Sequence, residues 1–132
     1  MAITLTEAQK RLFTEGKNFI FLATLMKDGS PQVTPVWVDL DGDQILVNSE
    51  QKRVKTRNVR RDPRVALSVQ EPGNPYRYLE VRGRVAEITT DGAAAHIDKL
   101  AQKYLGQEKY PFHQPGDVRV IIKITPEATS GM

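Results

Sequence analysis

"NFIFLATLMKDGSPQVTPVWVDLDGDQILVNS", residues 18–49, carries two turn signals between apolar runs. "KDGS" (27–30) and "DGD" (41–43) set Asp beside Gly, the residues that tolerate the positive φ of a tight hairpin turn. The stretch therefore predicts three strands joined by hairpins. Pro31 and Pro35 lie in the second. Proline has no N–H to give to a ladder, so this strand is expected at an edge, or bulged where Pro35 sits.

Upstream, Thr6 and Gln9 have the spacing of a capping box, which predicts a helix over 7–15 that stops at Gly16 and buries Leu12 and Phe13. Downstream, "QKRVKTRNVRRDPRV" (51–65) has helical periodicity and no glycine. It should end at Asp62, because a residue before proline resists the α region. "RVALSVQ" (64–70) predicts a strand and "EPGNP" (71–75) a loop. "YRYLEVRGRVAEIT" (76–89) alternates, with Tyr76, Tyr78, Glu80 and Arg82 on one side and Arg77, Leu79, Val81 and Gly83 on the other. Asp91 is expected to cap a helix over 92–105 whose buried face holds Ala94, Ile97, Leu100, Ala101 and Leu105. "KYPFHQPG" (109–116) is a proline-rich loop, "VRVIIKIT" (118–125) a last strand, and "PEATSGM" a tail. Six hairpin-linked strands form a mainly antiparallel sheet, expected to curl into a small barrel that removes its edges. There is no internal repeat.

At 132 residues the chain suits one domain, and its 39% hydrophobic and 27% charged composition is that of a globular protein. With no cysteine, disulfides and thiolate-metal sites are excluded. The longest apolar run, "FIFLATLM" (19–26), is far shorter than the roughly 20 residues of a membrane span. "MAITLTEAQKRL" lacks a signal-peptide pattern, so a cytoplasmic location is expected.

Charge is the unusual feature. Residues 52–64 hold seven Lys/Arg and one Asp, a local +6, while the remaining residues hold twelve cations and fifteen carboxylates, a net −3. One compact basic patch on a slightly acidic body points to a small anionic ligand rather than to the basic stripe of a nucleic-acid protein. On a helix, Arg53, Lys55 and Thr56 supply guanidinium, ammonium and hydroxyl near an N-terminus that itself favours anions. Ser49 adds a second hydroxyl. Arg57, Arg60, Arg61 and Arg64 remain, some of them for a longer polyanion, although a solvated helix face would have the same composition. In "QVTPVWV" (32–38), a ladder interrupted at Pro35 leaves backbone groups free beside Val36 and Trp37 for a flat polar heterocycle; Gln32 begins that strand. Trp37 could equally be core. Tyr76 and Tyr78 could stack on such a ring across a dimer or pack an interface. No nucleophile motif or metal-ligand cluster is present. His96 reads as structural, and His113 as structural or substrate-contacting. Any chemistry would be a cofactor's own.

These pieces resemble the split-β-barrel flavin- and deazaflavin-binding proteins related to pyridoxamine 5′-phosphate oxidase. The resemblance spans about residues 5–130 and rests on "FLATLMKDGSPQVTPVWVD", "VNSEQKRVKTRNVRRDPRVAL", "EVRGRV" and "VRVIIKITPEATSG". "KTRNVRRDPR" is similar to the branch that uses the deazaflavin coenzyme F420. The resemblance implies a six-stranded antiparallel split barrel with flanking short helices. It implies Lys55, Arg53, Thr56 and Ser49 around the cofactor phosphate, and Pro35, Val36 and Trp37 against the ring. It further implies a homodimer with Tyr78, beside Tyr76, reaching over the partner's cofactor. Arg57, Arg60 and Arg61 would meet the oligoglutamate tail of coenzyme F420. The oxidase has arginine where Thr34 stands, lysine where Asp39 stands, and a C-terminal extension beyond the position of Met132, so pyridoxamine phosphate is not carried over as substrate. The expected activity is hydride transfer from coenzyme F420 to a small conjugated or heterocyclic molecule, with no metal, nucleic acid or membrane. The alternatives are an FMN-dependent reductase or oxidase, and a non-catalytic cofactor- or haem-binding protein.

Overall fold

The computed structural model describes residues 1–132. In chain order the elements are α1 (Glu7–Thr14), β1 (Ile20–Leu25), β2 (Pro31–Val36), β3 (Asp39–Asp41), β4 (Gln44–Glu50), α2 (Val54–Arg61), β5 (Arg64–Glu71), β6 (Asn74–Thr89), α3 (Ala93–Leu105) and β7 (Arg119–Gly131). The capping box forms at α1: Gln9 N–H donates to Thr6 Oγ1 at 3.1 Å, and Thr6 N–H donates to Gln9 Oε1 at 2.9 Å. The first two hairpins turn at Gly29 and Gly42, whose φ values of 87° and 61° lie where only glycine is unstrained.

All seven strands belong to one antiparallel sheet of order β2-β1-β5-β6-β7-β4-β3. Its edges are β2 and β3, which are consecutive in the chain and joined only by Trp37 and Val38. So short a link holds the end of one edge within about 11 Å of the start of the other. The sheet is therefore wrapped on itself and split between β2 and β3. This is the mainly β, antiparallel split barrel that the resemblance implies; the edges that the hairpin pattern alone expected to vanish remain, at β2 and β3. Seven strands replace the expected six because 32–40 breaks at Trp37 instead of running on. Pro35 is accommodated as anticipated, on an edge strand paired with Phe21 of β1.

Helix α3 plugs the split. The Val38 N–H donates to Tyr104 Oη at 3.0 Å, and that hydroxyl donates to the Asn18 carbonyl at 2.6 Å. Lys103 Nζ donates to the carbonyls of Val38 and Phe13 at 2.9 and 2.8 Å. The backbone groups freed by the break thus find side-chain partners, as buried peptide groups must. Burial raises the Tyr104 phenol above its ordinary value and lowers the Lys103 ammonium. Replacing Tyr104 with Phe strips partners from Val38 and Asn18. It should destabilise the fold by about 1–3 kcal/mol, read as a lower urea midpoint with an unchanged slope.

Inside the barrel lies one cluster of 17 buried apolar residues, drawn from Leu5 ahead of α1, from α1, α2, the Val38 link and every strand except β2 and β3. Three expectations fail locally. Gly92, at φ 71°, occupies the N-cap of α3, and Asp91 does not cap it. The buried face of α3 is Ala93, His96, Ile97, Leu100, Ala101 and Tyr104, leaving Ala94 and Leu105 exposed. The tail after Thr125 is not loose: β7 continues to Gly131, paired with Leu79 of β6. No helix is long and apolar enough to cross a membrane.

Candidate functional site

The end of β4 feeds directly into α2, and the turn between them is tied down by one carboxylate. Glu50 Oε1 accepts from Lys52 N–H at 2.7 Å and Oε2 from Val118 N–H at 3.0 Å. The Val118 hydrogen bond is the main reason its carboxyl stays below the usual range despite burial. Both carboxylate oxygens are thereby engaged by main chain. Pairing of Glu50 with Arg119 and of Ser49 with Val120 sets the start of β7 beside the start of α2. A cation from β7 thus joins the cations of the helix.

These elements surround a cavity of about 190 Å³ at the barrel split. Phe19, Pro35, Val36 and Trp37 form its apolar side, and Asn48, Ser49, Arg53, Lys55 and Arg119 its polar side. Ile97 of α3 and Tyr110 and Phe112 of the 106–118 loop complete the lining. Trp37 is held in place by a stack on Tyr104, with centroids 5.1 Å apart and planes 3° from parallel, and by an edge contact with Tyr110. Its orientation is therefore fixed from behind by the same tyrosine that closes the split.

The polar side has three cations and no carboxylate. Arg53 and Lys55 make no side-chain hydrogen bond or ion pair, although Lys55 is half-buried. Burial lowers the Lys55 ammonium below its ordinary value, and the positive charges of Arg53 and Arg119 lower it further. Arg119 donates from Nε to Asn48 Oδ1 at 2.9 Å and lies 5.1 Å from the Tyr110 ring centre, which leaves its terminal amino groups without partners in the fold. Half-buried Lys55 and Arg119 beside Arg53, with no carboxylate in the lining, fit an anion of phosphate chemistry, and the Trp37 side fits a flat ring.

Of the thirteen residues anticipated at a cofactor site, the fold brings six to this cavity: Pro35, Val36, Trp37, Ser49, Arg53 and Lys55. Thr56 is buried behind it, its Oγ1 2.9 Å from both Ser49 Oγ and the Glu50 carbonyl, so it orients Ser49 and is not a surface group. Gln32 lies further along β2, where its Oε1 accepts from Thr24 at 3.3 Å. Arg57, Arg60 and Arg61 face outward from α2. Arg61 caps the Leu25 carbonyl at 2.9 Å, while Arg57 and Arg60 have no ionic partner. Tyr76 and Tyr78 lie on β6 in a separate cleft with Arg77, Gly131 and Met132, and are 93% and 46% exposed. Sequence reasoning missed Phe19, Asn48, Ile97, Tyr110, Phe112 and Arg119. The aromatics of "KYPFHQPG" were a usable signal; Arg119 joins only through the β4–β7 register.

Solved structures share this architecture. One described as an F420 reductase is 39% identical, with a TM-score of 0.80 over 96% of this chain and 98% of the other. A conserved hypothetical protein from Mycobacterium tuberculosis is 25% identical, with a TM-score of 0.72 over 97% and 84% of the two chains. HupZ of Group A Streptococcus, at 19% identity and a TM-score of 0.70 over 98% of this chain and 94% of that one... shares the fold. The family model described as pyridoxamine 5′-phosphate oxidase matches residues 5–132, and the chain belongs to that family.

Proposed function

We propose that the protein is an oxidoreductase that binds coenzyme F420 in the cavity at the barrel split and reduces a small conjugated or heterocyclic substrate. The observation that carries this reading is the carboxylate-free convergence of Arg53, Lys55 and Arg119 beside the Trp37 wall. The 39% identity to a structure described as an F420 reductase supports the same choice. Bound there, the deazaflavin supplies a hydride from its C5. Lys55, Arg53, Ser49 and Arg119 would hold the phosphodiester. Pro35, Val36 and Trp37 would hold the ring, aided by the outer edge of β2, which has a ladder neighbour on one side only. Tyr110 and Phe112 would limit water at the reacting face, and positioning in a water-poor cleft is this chain's part in the rate.

Phe21, Val33 and Pro35 form an apolar outer face on β1 and β2 next to the cavity, with Phe21 45% and Val33 61% exposed. A second copy covering that face would make the homodimer and bring its Tyr78 and Tyr76 toward the cofactor. Purified protein titrated with coenzyme F420 and with FMN, followed by Trp37 fluorescence, tests the reading. Tighter deazaflavin binding, and oxidation of reduced coenzyme F420 by a quinone or nitroaromatic acceptor, is expected. Binding of FMN alone would contradict it, and binding without turnover would make the protein a carrier.

Salt separates the two cofactors. Arg57 and Arg60 are exposed and free to meet a string of carboxylates, each exposed pair being worth about 0–1 kcal/mol. Raising ionic strength from about 0.05 to 0.5 M should weaken coenzyme F420 binding more than FMN binding, because more charges are screened. Equal salt sensitivity would remove the tail contacts.

A further inference from the structure

The buried face of α3 contains an imidazole that the proposed chemistry does not use. His96 is 9% exposed and does not line the cavity. Its Nε2 lies 3.0 Å from Asp39 Oδ2 and its Nδ1 lies 3.1 Å from Asn48 Nδ2. Asn48 is the link to the site. Its Nδ2 also donates to the Ala93 carbonyl at 2.9 Å, and its Oδ1 accepts from Arg119 Nε at 2.9 Å.

These partners leave one consistent set of hydrogens. A carbonyl can only accept and a guanidinium can only donate, so Ala93 and Arg119 fix which end of the Asn48 amide is nitrogen. That NH₂ group faces His96 Nδ1, which must then accept. The imidazole proton sits on Nε2 and is donated to Asp39. Burial raises the Asp39 carboxyl, but hydrogen bonds from His96, the Leu40 N–H and Lys99 outweigh it and hold it well below the usual carboxylate range. The chain therefore runs from an ionised Asp39 through neutral His96 and the Asn48 amide to Arg119. Four elements contribute one residue each: β3, α3, β4 and β7.

We propose that His96 is a positioning residue for the anion site. By accepting from the Asn48 NH₂ group, whose orientation Ala93 and Arg119 set, it keeps the amide in place. The amide in turn holds Arg119 by Nε, so that the terminal amino groups stay available to a phosphate or phosphodiester. A guanidinium held at one nitrogen and stacked on Tyr110 loses less freedom when it binds an oxyanion than a free side chain does. The inference rests on the proposed anion-binding role of the cavity, but not on which flavin occupies it.

Inorganic pyrophosphate is therefore the probe, with binding read by calorimetry in a double-mutant cycle. Arg119→Ala should weaken binding at least tenfold, and His96→Leu roughly threefold to tenfold. In the Arg119→Ala background His96→Leu should change nothing further, because its effect passes through the arginine. His96→Asn puts an acceptor oxygen near the position of Nδ1 but loses Asp39, as His96→Leu does; it should recover most of the affinity while melting like His96→Leu. Additive losses, or no rescue by asparagine, would reduce His96 to a structural residue and overturn the proposal. Absence of pyrophosphate binding to the wild-type protein would overturn it together with the anion site. Pyrophosphate binding with an intact cycle but no binding of either flavin would leave this inference standing and sink the proposed function.

Discussion

Lys55→Ala is expected to weaken cofactor binding by roughly ten- to a hundredfold, the factor that follows from losing a charge-assisted hydrogen bond worth about 1.5–3 kcal/mol. Lys55 is half-buried, as Arg119 is, but unlike Arg119 it has no partner in the fold to lose. Its removal should therefore leave stability unchanged or raise it slightly, since burial next to Arg53 and Arg119 already disfavours its charge. This combination of weaker binding and undiminished stability distinguishes a ligand-binding lysine from a structural one. Fluorescence titration and urea unfolding of the same variant check both halves. An affinity within twofold of wild type would remove the phosphate assignment.

The second large effect is on folding. Phe13 is 0% exposed and belongs to the main core cluster, where α1 closes one opening of the barrel. Phe13→Ala removes most of a fully buried ring from the main core, at a cost of about 3–5 kcal/mol. Domains of this size are stable by only about 5–15 kcal/mol, so much of the margin would go. The Phe13 carbonyl also accepts from Lys103, so disorder in α1 would reach the plug at the split. A large fall in the urea midpoint is expected; a loss below about 1 kcal/mol would mean that α1 does not seal the core.

What was legible in the sequence was what local chemistry decides. Asp and Gly at 28–29 and 41–42 specified turns, Pro31 and Pro35 specified an edge strand, and Thr6 with Gln9 specified a helix start; each rule acts within a few residues. What was hidden depends on partners far along the chain. "PVWVD" reads as continuous strand because Val and Trp suit strands. The break at Trp37 exists because Tyr104 and Lys103, some 66 residues later, satisfy the Val38 backbone. Arg119 looked like an ordinary cation in a strand and reaches the cavity only through its pairing with Glu50. Asn48 and His96 carry no motif, and their roles follow from hydrogen bonds across four elements. Within the basic run, helical geometry turns Arg53 and Lys55 toward the cavity and Arg57 and Arg60 to solvent, while Thr56, expected beside the phosphate, turns inward.

In the proposed function the cations at the start of α2 and β7 grip the phosphorylated arm of a flavin-type cofactor whose ring lies against the β2 edge. A crystal structure of the protein bound to coenzyme F420 tests it most directly. Phosphate oxygens are expected within hydrogen-bonding distance of Lys55 and Arg119, with the ring along Pro35, Val36 and Trp37. A cofactor seated elsewhere, with Lys55 and Arg119 left in solvent, would contradict it.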